Sequence, residues 1–175
     1  MLPVVVLVTG ASGTGKTRLA HALAAAIGCP AICRDEIKEG MVLTYGDGFA
    51  PATGDELTKR TFPLFFDVIR LLLEGRVSVI AEAAFQDRVW RMGLEPLLPR
   101  ARLRVIRCTV SDDLARHRRL ERSRDKTRRA HADADPGVVT PSEFDALSLS
   151  PSLVVDTTTG YDPSFEDIVA FAQNV

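Results

Sequence analysis

Cysteine is scarce in this chain, with three residues at Cys29, Cys33 and Cys108. An odd number lying in or beside apolar segments reads as reduced, buried thiols rather than a disulfide framework or a metal site. Long hydrophobic runs are absent too: none approaches the roughly 18 residues a membrane span requires. The first Lys or Arg is Lys16, so no basic region precedes the first apolar run and no secretory signal is expected. Neither charge sign dominates, since 22 Lys and Arg face 23 Asp and Glu for a net charge of −1. No global field therefore draws nucleic acid or an anionic membrane, and such a partner needs a local patch. No internal repeat, low-complexity tract or second-domain boundary stands out. What remains is 175 residues, 46% hydrophobic, enough to bury one core. A single domain over residues 1–175, cytoplasmic in location, is expected.

The apolar patterning alternates strand and helix. Val4–Thr9 is a continuous apolar run of strand length, as for a strand buried on both faces. A helical pattern follows from Thr17 to Ile27 and stops at Gly28. Pro30–Cys33, Val77–Ala81, Leu103–Cys108 and Leu153–Val155 are further strand candidates. Tyr45–Gly54, rich in Gly and Pro, reads as loop. Thr53 with Glu56 has capping-box spacing and predicts a helix ending near Gly75, kinked or broken at Pro63. Ser111 with Asp112 and Asp113 caps another helix, Thr140–Glu143 opens one, and Asp162-Pro163 opens the last. This order predicts an α/β fold of three layers, a parallel sheet covered on both faces.

The strongest motif follows the first strand: Gly10-Ala11-Ser12-Gly13-Thr14-Gly15-Lys16-Thr17. It fits G-x-x-x-x-G-K-[ST], in which loop amides turn onto phosphate oxygens, the Lys reaches the β- and γ-phosphates and the Thr hydroxyl ligates Mg²⁺. The following helix adds the positive end of its dipole. This is a nucleotide site. The chain has no Asn-Lys-x-Asp sequence, the usual guanine-reading signal, so ATP with Mg²⁺ is expected rather than GTP.

Three further elements bear on the fate of the last phosphate. Arg34-Asp35-Glu36-Ile37-Lys38-Glu39 follows the second strand, whose C-terminal end faces the ligand crevice in a parallel sheet. Asp35 is then either a base for an attacking hydroxyl or the N-cap of a helix over Glu36 to Met41. Glu82 ends the third strand, where it holds a Mg²⁺-bound water, binds an acceptor or caps the strand; Phe85 and Gln86 follow it as acceptor-side candidates. From Arg116 to Arg129 eight Lys and Arg stand against two acidic residues, about +6 in a near-neutral chain. That run is a solvated helix face or a lid that supplies charge to a transferring phosphoryl group. Arg124 and Arg128, four apart, share a face on the lid reading, with Arg122 beside them. No aromatic is interleaved there for a base to stack on.

Together these residues resemble the AAA_33-type P-loop kinases, a group similar to polynucleotide 5′-kinases, chloramphenicol phosphotransferase and zeta toxins. The resemblance spans roughly Val4 to Asp156. It implies the P-loop NTPase fold with sheet order 2-3-1-4-5, an Arg-rich lid over about 122–134, and adenine bound near Asp156 to Gly160. It implies Asp35 as general base, Lys16 and Thr17 on phosphate and Mg²⁺, and Lys38 where polynucleotide kinases often carry Arg.

The expected activity is therefore transfer of the γ-phosphate of ATP to a hydroxyl of a small molecule. Asp35, Lys16, Arg124 and Arg128 act in transfer; Gly10–Thr17, Arg122 and Asp156 hold nucleotide; Thr17 and Glu82 hold metal. Asp35, Lys38, Glu82, Phe85 and Gln86 face the acceptor. A polynucleotide 5′-hydroxyl acceptor, or an ATP-dependent switch with a protein partner, are the alternatives, and nucleic acid is not favoured. His21, His117 and His131 share no spacing suited to a metal, and Trp90, Phe65 and Phe66 read as core.

Overall fold

Val4–Thr9 forms the central strand, β1, and its side chains divide by parity. Val5 and Leu7 enter one apolar layer, Val6 and Val8 the layer on the opposite face. Burial on both sides is why the run carries no polar alternation. The computed structural model describes residues 2–50, 52, 54–124, 130, 139–145, 147–149 and 151–174. With β2 (Ala31–Cys33), β3 (Val79–Glu82), β4 (Arg102–Thr109) and β5 (Ser152–Asp156), β1 makes a wholly parallel five-stranded sheet. Its order is 2-3-1-4-5, as the resemblance implied.

Helices complete the three layers. α1 (Lys16–Ile27) and α6 (Phe165–Gln173) cover one face through Leu19, Leu23 and Ile168. α3 (Glu56–Glu74) and α4 (Asp87–Leu94) cover the other, where Phe65 and Phe66 pack with Phe85 and Trp90. α2 (Arg34–Tyr45) leaves β2 without an intervening loop, and α5 (Asp112–Arg122) follows β4. Among the described residues no helix is long and apolar enough to cross a membrane.

Four expectations about helix ends change. Thr53 lies outside the described residues, and the cap of α3 is Asp55, whose carboxylate accepts the Thr58 N–H at 2.7 Å. Pro63 does not break α3, which runs unbroken from Glu56 to Glu74. A proline inside a helix costs about 3 kcal/mol. Burying Phe65, Phe66 and Ile69 from the same helix returns about 1.5–3 kcal/mol each and outweighs it. At Thr140 the capping-box bond forms, with the Thr140 N–H donating to Glu143 at 3.3 Å, but only a turn follows. There the Ser142 N–H is taken by the Asp112 carboxylate at 3.0 Å, tying the turn to the start of α5. Asp162 pairs with Asp156 as an antiparallel bridge, and the last helix is capped instead by Ser164, which accepts the Asp167 N–H.

Candidate functional site

The turn from β1 into α1 is made by close backbone approach. At Gly13 (φ +88°) a Cβ would lie 2.4 Å from the carbonyl oxygen of Ala115 on α5. At Gly10 (φ +142°) it would lie 2.4 Å from the Cys108 carbonyl oxygen. Only glycine meets both the dihedral and the space. Within the loop the Thr14 hydroxyl donates to the Ala11 carbonyl at 2.9 Å and the Lys16 ammonium donates to the same oxygen at 3.0 Å. α1 has neither a side-chain cap nor an acidic residue in its first turn, so its leading amides face the loop unneutralised. That is the arrangement of an anion site at a helix N-terminus.

Glu82 is brought to the same place by strand register, opposite Val8 of β1 on one side and Cys33 of β2 on the other. It is 1% exposed. Its carboxylate accepts the Thr17 hydroxyl at 3.1 Å and stands 3.8 Å from the Lys16 ammonium. Burial pushes its pKa up, Lys16 opposes this, and the Asp35 charge adds to the rise. Asp35 is thus an electrostatic neighbour of Glu82. It sits in the first turn of α2 rather than at the cap, which is Cys33, and its half-exposed carboxylate pairs with Arg34 at 3.0 Å. A phosphate cradle, a hydroxyl–carboxylate pair suited to a hard cation and an accessible second carboxylate therefore meet at the C-terminal ends of β1, β2 and β3.

α5 buttresses the loop from the opposite side. Arg119, 8% exposed, donates to the Ser12 carbonyl at 3.0 Å, and Arg122 donates to the Ser12 hydroxyl at 2.9 Å. Arg118 bonds the Thr157 hydroxyl at 3.1 Å and the Thr157 carbonyl at 2.8 Å. Thr157 in turn donates to the Thr14 carbonyl at 2.8 Å. Beside this chain of bonds is an open cavity of about 460 Å³ lined by Gly15, Arg18, Arg118, Thr157, Thr158, Gly160 and Tyr161. The segment after Asp156 does border this space, but the Asp156 carboxylate is turned to the Thr158 N–H at 2.7 Å and orders the turn. Those hydrogen bonds from Thr158 lower its pKa.

Other candidates fall elsewhere. α5 ends at Arg122, so Arg124 lies beyond the helix and is exposed. Arg128 itself, His131 and most of the expected lid, 125–129 and 131–134, lie outside the described residues. Lys38 is 2% exposed and does not face an acceptor: its ammonium pairs with Asp55 at 2.8 Å. Burial raises the Asp55 pKa, but Lys38 and the Thr58 and Ala52 amides more than offset it and hold it at about 2. Phe85 is fully buried, its ring packed at 4.8 Å from Trp90, so it is core rather than crevice wall. Gln86 is the half-buried N-cap of α4.

Sequence reasoning did not single out Arg118, Arg119, Arg18 or Tyr161. The missed signal was phase: counting from the Ser111 cap puts Ala115 and Arg119 four apart on the buried side of α5. All three cysteines are free thiols; Cys33 and Cys108 are buried as expected, whereas Cys29 is half-buried. Burial, then the Glu82 and Glu36 carboxylates, push the Cys33 thiol far up.

The model of the AAA_33 family, described as an AAA domain, matches residues 5–136. No relative is found among curated proteins. Among solved structures, a candidate kinase from Chloroflexus aurantiacus j-10-fl is 25% identical, with a TM-score of 0.80 over 97% of this chain and 96% of that one. Kti12 of Chaetomium thermophilum, in complex with ADP-AlF3, is 16% identical at a TM-score of 0.68, covering 98% and 100%. The APS kinase CysC of Mycobacterium tuberculosis, with AMPPNP and APS, is 14% identical at 0.66, covering 97% of each chain.

Proposed function

This chain belongs to the AAA_33 family of P-loop proteins, and from that premise we propose that it transfers the γ-phosphate of ATP to a hydroxyl of a small-molecule acceptor. The observation that carries this reading is Asp35 in the first turn of α2, at the end of β2 and within electrostatic reach of Glu82, which itself meets Thr17 and Lys16. A pure nucleotide switch has no use for an accessible carboxylate at the acceptor side of the γ-phosphate. Adenine nucleotides in solved relatives of the same fold support ATP as the donor.

In the proposed reaction the loop amides and Lys16 hold the β- and γ-phosphates. Thr17 and Glu82 offer oxygen donors only, the ligand type that suits Mg²⁺, and they are the residues that would hold it. Mg²⁺ bound there supplies neutralisation of phosphate charge. The acceptor oxygen attacks the γ-phosphorus, its proton passes to Asp35, and the bond from the γ-phosphorus to the β–γ bridging oxygen breaks to release ADP. Arg118 and Tyr161 line the space assigned to the nucleoside. Lys38 is buried in its pair with Asp55 and does not offer the grip on a polynucleotide phosphate that its position suggested, which favours a small acceptor.

The test is transfer of radiolabelled γ-phosphate from ATP, with Mg²⁺, into a panel of hydroxyl metabolites, antibiotics, nucleosides and 5′-hydroxyl oligonucleotides. Labelled small molecule, lost in Lys16→Ala, is the expected result. Label in oligonucleotides alone would move the assignment to a polynucleotide kinase. Tight ATP binding with no transfer to any member would favour the switch.

A further inference from the structure

His21, Cys33 and Glu36 come from three elements, α1, the end of β2 and α2. Their ligand atoms all lie within 4.8 Å of one another. His21 Nε2 stands 2.7 Å from Glu36 Oε1 and 3.7 Å from Cys33 Sγ. We propose that these three side chains form a binding site for a thiophilic divalent cation, Zn²⁺, separate from the phosphate cradle.

The spacing is close to what such an ion needs. Zn–N of about 2.0 Å and Zn–S of about 2.3 Å at a tetrahedral angle put nitrogen and sulfur about 3.5 Å apart. The observed separation is 3.7 Å. Nitrogen and oxygen ligands at the same angle sit about 3.3 Å apart, so the His21–Glu36 contact at 2.7 Å must open by about 0.6 Å. Both side chains are about half exposed, which leaves a solvent side for the adjustment. Cys33, opposite Glu82 in the strand register, is buried and forms the floor of the site. The ion enters from the solvent side, between the two exposed ligands, with water in the fourth position.

Ligand type separates this site from the one assigned to Mg²⁺. A thiolate, an imidazole and one carboxylate select Zn²⁺ or a neighbouring transition ion, whereas hydroxyl and carboxylate oxygens select Mg²⁺. The sequence conceals the set, because positions 21, 33 and 36 belong to no short metal motif and meet only when α1 packs beside the β2–α2 junction.

Tag-free, reduced, metal-free full-length protein titrated with Zn²⁺ against a chromophoric chelator tests this, with Co²⁺ as the spectroscopic probe. One equivalent bound at micromolar Kd or tighter, with the charge-transfer absorption of a thiolate–Co²⁺ bond, is expected. His21→Ala and Glu36→Gln, both at exposed positions that leave the fold intact, should each weaken Zn²⁺ at least tenfold. Cys33→Ser should abolish the charge-transfer band, and Cys29→Ser should leave both readouts unchanged. Failure to bind one equivalent overturns the site, as does binding that His21→Ala and Glu36→Gln leave unaltered. None of these readouts depends on phosphoryl transfer, so the site stands or falls apart from the kinase reading.

Discussion

At the scale of single residues, Gly13 illustrates how position rather than chemistry can be indispensable. It is not one of the motif's fixed glycines, yet its α-carbon faces the Ala115 carbonyl at a distance no side chain tolerates. Gly13→Ala should therefore displace the loop and sharply weaken ATP binding, by tenfold or more, which isothermal titration would measure. Lys38 makes a contrasting case. Its position three residues after Asp35 invites a substrate-binding role, but sequence spacing does not reveal that Asp55 lies waiting to pair with it inside the protein. Lys38→Met should destabilise the fold by about 1.5–3 kcal/mol at neutral pH, because it removes the charged hydrogen-bond partner of the part-buried Asp55 carboxylate, which keeps its Thr58 and Ala52 amides. The unfolded chain protonates Asp55 near the ordinary value of about 3.9, while the folded chain keeps it charged down to about 2. The pair's contribution is thus complete above the unfolded value and is lost as pH falls through about 2. Urea midpoints of wild type and variant should converge over that window.

Among the elements, α5 changed most between reading and structure. A run of basic residues suggests a solvated face or a lid, and composition alone does not choose between them. The Ser111 cap sets the phase of the helix, and that phase turns Arg119 inward onto the Ser12 carbonyl. α5 is thereby a brace for the phosphate loop. A hydrogen bond from a charged group contributes about 1.5–3 kcal/mol. Arg119→Met should accordingly weaken ATP binding by at least about tenfold, with the circular dichroism of the folded chain retained. Strands were legible because a buried parallel sheet demands uninterrupted apolar runs, and β1 coincides with its expected limits. Capping motifs were less dependable. The Thr140 box forms its own hydrogen bond, but Asp112 takes the next amide and the chain turns away.

For the whole molecule, the parity of β1 determines where everything else goes. One set of its side chains meets α1, the helix that begins at the phosphate loop, and the other meets the aromatic cluster of α3 and α4. Both layers against the sheet are filled. Phe85 belongs to that filling: placed three residues beyond Glu82, it reads in sequence as a crevice residue, but the chain folds it back onto Phe65 and Trp90. Phe85→Ala should cost about 3–5 kcal/mol of stability, seen as a lower urea midpoint. The acceptor was not legible at any scale, because its contacts depend on the shape of the crevice and not on a motif.

The central claim, that Asp35 takes the proton of an acceptor hydroxyl during transfer from ATP, is tested most directly by comparing Asp35→Asn with wild type in the γ-phosphate transfer assay. The account predicts a fall in kcat of about 10²–10⁴, with ATP affinity close to unchanged. Turnover equal to that of the wild type would contradict it and remove Asp35 from the chemistry.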